Sequence, residues 1–199
     1  VNLNASDGFS DLNVLKSFVE LQKLLEINYG HYISRTYSLA DMVISLNTTL
    51  NDSKNGAGEL PPNNYSVIQM LSLINNANPE KRRKLVSDDF SISHITIQLK
   101  NASSREYSML FRSIERDMNF VFEPLKIAYP RLEYGVTGTV ALMMRMGDVL
   151  SNAQFRSLVL VVVLISAILL ISLGSFWGGL LAIVPNILPP LVAFGLMGL

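Results

Sequence analysis

Two histidines and one acidic pair are the residues whose types could support acid–base or metal chemistry. His31 and His94 lie far apart in the chain, and Asp88-Asp89 has no third oxygen ligand at the spacing of a cation-binding loop. The sequence contains no HExxH, GxSxG, Walker or glycine-rich dinucleotide pattern. We therefore interpret the histidines as packing or surface residues and the acidic pair as a turn that ends a helix. We predict no enzyme activity, catalytic residue, cofactor or metal.

The balance of charges argues against nucleic acid as a partner. The chain has 16 basic and 16 acidic residues and a net charge of zero, whereas nucleic-acid-binding domains usually carry a basic excess. The one basic cluster, Lys81-Arg82-Arg83-Lys84, is short and is followed by two aspartates, which favours a solvated helix face. Because there are no cysteines, neither disulfides nor Cys-ligated metals hold the fold together.

The C-terminal part of the chain lacks charged residues altogether. No Asp, Glu, Lys, Arg or His occurs from Ser157 to Leu199. An apolar run of more than about 18 residues is typical of a membrane-spanning helix, because the hydrocarbon core is roughly 30 Å thick. We predict a transmembrane hairpin over residues 151–199, with spans at about 157–173 and 179–199 and a glycine-rich turn between them. A hairpin buried in a soluble core is the alternative, but a chain of 199 residues could hardly enclose it.

Both ends of the sequence are expected to be cuts in a longer polypeptide. The first residue is Val1 rather than Met, and the second predicted span reaches Leu199 without a polar or aromatic flank. Three prolines in that span, at positions 185, 189 and 190, predict a kinked or locally opened helix. The second span is therefore expected to continue beyond the sequence.

Residues 1–150 precede the hairpin and show the apolar spacing of several helices. A first helix is predicted over about Ser10 to Asn28, with Ser10 or Asp11 as its cap. A second is predicted to begin at Ser38-Leu39-Ala40-Asp41, which resembles a capping box. After a polar loop over 51–64, Val67 to Ile74 predicts a third helix and Pro79 the first turn of a fourth.

Alternating residues predict strands around these helices. Ile95 to Lys100 and Arg131 to Thr137 alternate apolar with polar, and shorter strands are predicted near Val1 to Asn4 and Tyr32 to Tyr37. Between the two alternating segments, Ser103-Ser104-Arg105-Glu106 predicts a capped amphipathic helix. The resulting order, βα β(ααα) β αβ, indicates an α+β fold of the ferredoxin-like, split βαβ type with a helical insertion.

One long helix is predicted to connect this domain to the hairpin. After Gly138 the apolar residues keep a helical spacing, and only Gly147 interrupts the pattern before Leu173. Such a helix could transmit movement between the domain and the bilayer, or it could be no more than a convenient connection. The sequence favours neither interpretation.

Three short motifs mark the end of the first domain and the membrane segment. They are Val136-Thr137-Gly138-Thr139 at a strand end, Gln154-x-x-Ser157 at the membrane entry, and the segment from Gly179 to Pro189. These motifs resemble the resistance, nodulation and cell division (RND) superfamily of exporters, and most closely its hydrophobe and lipid exporters related to the MMPL and sterol-sensing-domain proteins. The residues matching family motifs are Gly138, Gln154, Ser157, Gly179, Pro185, Asn186 and Pro189.

The resemblance implies a place for each part of the chain in a transporter. Residues 1–150 would be the first extracytoplasmic, porter-type domain, and the two predicted spans would be the second and third of the transporter. The localisation implied is the bacterial inner membrane, with residues 1–150 on the periplasmic side. Relatives usually place an arginine where this chain has Gly174, so the positive-inside signal for that orientation is missing.

The implied function is proton-driven export of hydrophobic, lipid-like or amphiphilic molecules. The family's proton-carrying carboxylates lie in the fourth span, which this sequence does not reach. The implied partners are the bilayer, the hydrophobic substrate and the remainder of the transporter chain, and a homo-oligomer is compatible with the resemblance. The alternative is a sterol- or lipid-sensing membrane protein without transport activity, and a membrane-anchored enzyme is a more distant third.

Overall fold

The computed structural model describes residues 1–50 and 58–173, together with Leu188 and Val192. The chain divides into two compact units, Val1–Ala141 and Leu142–Leu199. Short 3-10 helices lie at Gly8–Ser10 and Glu123–Ile127. In chain order the other elements are α1 (Leu12–Tyr29), β1 (Ile33–Tyr37), α2 (Leu39–Leu50), α3 (Asn64–Ala77), α4 (Pro79–Arg83), β2 (Thr96–Leu99), α5 (Ser104–Phe122) and α6 (Thr139–Leu173).

Helix α1 confirms the first predicted helix and forms the centre of the first unit. The Asp11 side chain caps it by accepting a hydrogen bond from the Asn13 backbone N–H at 2.9 Å. Its buried face includes Val14, Phe18 and Leu25, which follow the three- and four-residue spacing of one helical stripe. The Phe18 ring meets Phe9 edge-on, with 5.2 Å between the ring centroids.

The three predicted helices between β1 and β2 are also confirmed. At the start of α2, Ser38 and Asp41 form a variant of the predicted capping box. The Asp41 carboxylate accepts from Ser38 N–H, and the Ser38 hydroxyl accepts from Ala40 N–H, two residues on, where a strict box uses the residue three on. Side chains of Asn63 and Asn78 cap α3 and α4. Pro79 occupies the first turn of α4, where the backbone N–H that proline lacks would have no helical partner.

Two of the four predicted strands pair with each other. Strands β1 and β2 run antiparallel, with Thr36 opposite Ile97 and Tyr37 opposite Thr96. The register shifts between Ile33 and Arg35, which marks an irregularity near the start of β1. The described residues therefore combine helices with a two-stranded sheet, as an α+β protein does.

The other two predicted strands are wrong as strands. Asn2 makes single antiparallel bridges to Ile92 and Glu133, and neither bridge extends into a ladder. Asn4 has a φ of 52°, a left-handed conformation that turns the chain out of the extended path. The alternating stretch over Leu132–Val136 is therefore bridged to the N-terminal segment only through Glu133 and Asn2, and one bridge does not make a strand.

Helix α5 confirms the predicted capped helix and packs against α1. The Ser103 hydroxyl accepts from Glu106 N–H, and the Glu106 carboxylate accepts from Ser103 N–H at 2.8 Å. Near the end of α5, the buried Phe122 ring lies 5.8 Å from the Phe18 ring, between centroids. Aromatic and aliphatic residues of α1 and α5 thus form much of the core.

Helix α6 is continuous from Thr139 to Leu173, as the spacing after Gly138 predicts. The first predicted span, residues 157–173, lies entirely within it. The second predicted span and the glycine-rich turn before it lie outside the described residues, apart from Leu188 and Val192. The role of α6 as a rigid link stays a prediction.

Candidate functional site

An apolar pocket of about 210 Å³ lies within the first unit. We call it the β2–α5 pocket, because these two elements supply much of its wall. Its other walls come from α1 and from the segment 135–141, which includes the first turn of α6. Side chains that line it include Leu25, Ile95, Ile97, Phe111, Ile114 and Met118.

The local structures explain why these side chains share one space. On β2 and the residue just before it, Ile95, Ile97 and Leu99 alternate with polar residues, so all three lie on the same face. On α5, Phe111, Ile114, Met118 and Phe122 recur at steps of three, four and four, which places them on one helical stripe. The pocket is the space that these two apolar faces leave between them.

The segment 135–141 forms the wall that leads into α6. Gly138 adopts a φ of 109°, a backbone conformation that residues with a Cβ rarely take. The next turn supplies Val140 and the buried Ala141 to the lining. Gly138 was singled out in the sequence as the end of a strand; the structure instead places it at the turn that starts α6 and lines the pocket.

The pocket offers little for acid–base chemistry. Its described lining contains no Asp, Glu, Lys or Arg side chain. His94 is the lining residue with an imidazole, and partial loss of hydration at the wall lowers its pKa. A His94 with a lowered pKa is neutral at pH 7, so the wall presents an apolar surface with an uncharged hydrogen-bonding group.

The two histidines do not come together, and each has its own surroundings. His94 lies at the pocket, whereas the His31 ring meets the Tyr32 ring edge-on, with centroids 5.1 Å apart. Among the described residues, no group of three or more His, Asp or Glu side chains could hold a metal ion. The arrangement therefore offers no metal site within that part of the chain.

The acidic pair belongs to a hydrogen-bonded loop after α4. Asp88 pairs with Arg82 and with Arg83, and hydrogen bonds from these two residues lower its pKa. Asp89 accepts hydrogen bonds from the hydroxyls of Ser87, at 2.6 Å, and Ser91, at 2.8 Å, which lower its pKa as well. Both carboxylates thus act as acceptors that hold the loop.

Arg82 corrects the interpretation of the basic cluster as a solvated helix face. It is only 3% exposed, and its guanidinium donates to the Ser87 carbonyl at 2.9 Å and to Asp88. The guanidinium also lies over the Phe90 ring, 5.2 Å from the centroid. Lys81, Arg83 and Lys84 are exposed, as a solvated face requires. Spacing along a five-residue helix carries too little information to single out Arg82.

The remaining motif residues are only partly described. Gln154 and Ser157 are exposed on α6, outside the pocket lining. Gly179, Pro185, Asn186 and Pro189 lie outside the described residues. Of the three motif residues that the structure describes, Gly138 is the one that lies at a cavity.

Helix α6 exposes the apolar side chains of the charge-free segment. Val163 is 61% exposed, and Leu160, Leu164, Ile168 and Ile171 are also exposed. Within the described part of the chain, α6 is the one helix that is long and apolar enough to cross a membrane. That finding rests on length and composition alone.

Comparison with known proteins adds no relative. No family model, curated protein or solved structure matches this chain. The likeness to RND exporters therefore rests on the sequence motifs alone. The structural observations that bear on function are the apolar lining of the pocket and the exposed apolar surface of α6.

Proposed function

We propose that this chain is part of an RND-type membrane transporter that exports hydrophobic, lipid-like or amphiphilic molecules with proton movement as the driving force. The observation that carries the proposal is the surface of α6. From Ser157 onward it has no charged residue, and its aliphatic side chains are exposed. A hydrocarbon environment stabilises such a surface, whereas water does not.

In this proposal the unit Val1–Ala141 is a water-facing porter-type domain on the periplasmic side of the bacterial inner membrane. Its buried core and its capped, amphipathic helices support a domain that folds in water. The ferredoxin-like arrangement belongs to the same proposal. It is supported by the β1–β2 pairing and by the single isolated bridge between Asn2 and Glu133, which brings together the segments of the first and the last predicted strand in chain order.

The proton-carrying groups of the transporter must lie outside this membrane segment. Residues 157–199 contain no ionisable side chain, and an intramembrane acid is the usual mark of a proton relay. The remainder of the transporter chain is therefore the necessary partner. We propose no catalytic role for any residue of this segment.

A lipid-sensing protein without transport activity is the second candidate. The observation that favours it is the β2–α5 pocket, which has an apolar lining and a volume of about 210 Å³ in the water-facing unit. A sensor needs such a ligand site but has no need of a proton relay. The two candidates therefore differ in their response to a proton gradient.

The test is efflux from proteoliposomes that contain the full-length protein. A fluorescent lipid-like compound is loaded, and its release is followed with a pH gradient, without one, and after a protonophore has collapsed it. An exporter gives release that depends on the gradient and stops with the protonophore. Release that is the same in all three conditions contradicts the exporter and leaves the lipid sensor.

A further inference from the structure

We propose that the β2–α5 pocket binds the hydrocarbon end of a single lipid-like molecule, with the apolar end innermost. The inference deepens the proposed function and rests on it for the source of the ligand, which is the bilayer beside α6. Binding itself requires no proton gradient. The pocket is thus a site in its own right, formed entirely by residues of the unit Val1–Ala141.

The volume of the pocket sets the size of the bound part. At about 210 Å³ it exceeds an engineered apolar cavity of about 150 Å³ that stays dry and binds benzene. It is smaller than the roughly 300–1,000 Å³ of sites that enclose a whole drug-sized molecule. The pocket therefore fits a ring or the end of a chain, and the rest of a lipid must project from it.

The lining determines which end enters. Ile114 and Met118 are buried, and the thioether of a methionine adapts readily to apolar groups of different shapes. His94 and Thr137, which can form hydrogen bonds, are both exposed. The lining residues that are fully buried are apolar, and the two lining side chains with hydrogen-bonding groups are exposed, which matches an amphiphile inserted with its hydrocarbon end first.

The described lining has no charged side chain, which restricts the ligand further; Val1 also lines the pocket, and its amino group already donates to the Ser93 carbonyl at 2.9 Å. A carboxylate or an ammonium group drawn into this lining would lose water without gaining an oppositely charged side chain. The bound portion is therefore uncharged. A long-chain alcohol is the simplest probe, because its hydroxyl can face His94 or Thr137 while its chain occupies the pocket.

The experiment is photolabelling of the full chain in lipid nanodiscs. The probe is a long-chain alcohol with a diazirine at the end of its chain, and the modified residues are mapped by mass spectrometry. We expect adducts on pocket residues such as Phe111 and Met118. We also expect an excess of unlabelled alcohol to reduce them at least fivefold. Adducts confined to α6 would overturn the proposal, because they would show partition into the bilayer only.

Two substitutions fill the pocket from different wall segments. Ile97→Trp adds bulk from β2, and Val136→Trp adds it from the segment before α6, outside any regular element. We expect each to reduce pocket adducts at least tenfold. The matched control is Ile68→Trp, an exposed position on α3 that does not line the pocket, and it should label like the wild type.

The outcomes separate this inference from the proposed function. If Ile97→Trp disturbs the fold, as circular dichroism would show, Val136→Trp and the competition experiment decide the result. Pocket adducts that survive both the filled pocket and the competitor would overturn the proposal. Gradient-dependent efflux with no pocket adducts would support the exporter and contradict this site. Pocket adducts together with release that does not depend on the gradient would support this site and contradict the exporter.

Discussion

The unit Val1–Ala141 and helix α6 contain the same aliphatic residue types in opposite surroundings. In the first, Val14 is 0% exposed and packs in a core shared by α1 and α5; in the second, Val163 is 61% exposed. Apolar area removed from water stabilises a fold by about 25 cal/mol per Å². The first unit gains that energy from its own packing, whereas the exposed aliphatic side chains of α6 gain none from contacts within the described residues, and we propose that a bilayer supplies it.

The charged residues also end at a definite point, which lies within α6. The first unit places charged side chains on its surface and uses some of them in specific pairs, such as Asp88 with Arg82 and Arg83. The last charged residue of the chain is Arg156, and the apolar segment begins directly after it. One part of the chain is therefore suited to water and the other to hydrocarbon, and the predictions below test that difference.

The largest expected effect comes from truncating the aromatic core. Phe18→Ala should lower the free energy of unfolding of the first unit by about 3–5 kcal/mol, because it removes a fully buried ring that packs on Phe9 and Phe122. Urea-dependent pulse proteolysis measures the change. The control is Phe120→Ala, which removes a 73% exposed ring and should stay within about 0.5 kcal/mol of wild type. Equal losses of stability in Phe18→Ala and Phe120→Ala would contradict the assignment of Phe18 to the core and Phe120 to the surface.

The second effect concerns insertion of α6 into a bilayer. Val163→Asp should disfavour insertion by about 2.5–3.5 kcal/mol, since a carboxylate at the centre of a spanning helix lacks hydration. The measurement is the inserted fraction of α6 when a reporter protein carries it. The control is Ser172→Asp, near the end of α6, which should disfavour insertion much less. An unchanged inserted fraction for Val163→Asp would contradict a membrane location.

A third effect concerns the turn that precedes α6. Gly138→Ala should destabilise the turn by about 1–3 kcal/mol, because alanine is strained at a φ of 109° even though its Cβ would meet nothing within 4 Å. Gly135→Ala is the matched control, since the same open space surrounds Gly135 and its φ lies outside the left-handed range. Hydrogen exchange of the first turn of α6 reports both. The same response in both variants would show that Gly138 is not required for its conformation.

A fourth, smaller effect comes from the start of α5. Ser103→Ala should cost about 1 kcal/mol, because it removes the hydroxyl that accepts from Glu106 N–H. Ser104→Ala, one residue later and equally exposed, should be close to neutral. The urea midpoint of the first unit measures both substitutions. A neutral Ser103→Ala would mean that packing on α1 alone holds this end of the helix.

The smallest effect depends on pH. The Tyr129 hydroxyl donates to Asp11 at 3.1 Å, and burial, followed by the charge of Asp11, raises the pKa of Tyr129 to about 12. An unfolded tyrosine titrates near 10, so the folded state favours the protonated form. The stabilisation is complete below about pH 10 and is lost as the pH rises through about 12. The wild-type urea midpoint should fall between pH 9 and pH 11.5, and in Tyr129→Phe this fall should be less steep. A fall as steep in the variant as in the wild type would contradict this assignment.

Local signals predicted the helices well and the sheet only in part. Asp11 and the Ser103–Glu106 box specify helix starts through neighbouring backbone groups, so a short window of sequence contains the information. The alternation over Leu132–Val136 indicates half-buried residues but names no partner, and only Glu133 is bridged. Strand pairing is a long-range property, which explains the two wrong strands.

The candidate site needed the tertiary structure. The spacing of Ile95, Ile97 and Leu99 predicted one apolar face, and the spacing along α5 predicted another. A space of about 210 Å³ between them depends on how closely the two faces approach, which spacing does not report. The burial of Arg82 was missed for a similar reason, because its partners Asp88 and Phe90 belong to the next loop.

The most direct test of two regions in two media is cysteine labelling. The chain has no cysteine, so single substitutions provide a clean background. Ile68→Cys, on the exposed surface of α3, and Val163→Cys, in α6, are treated with a membrane-impermeant maleimide in intact cells. We predict that position 68 is labelled from outside and that position 163 is protected until the protein is denatured out of the membrane. Equal labelling at both positions in intact membranes would contradict the account.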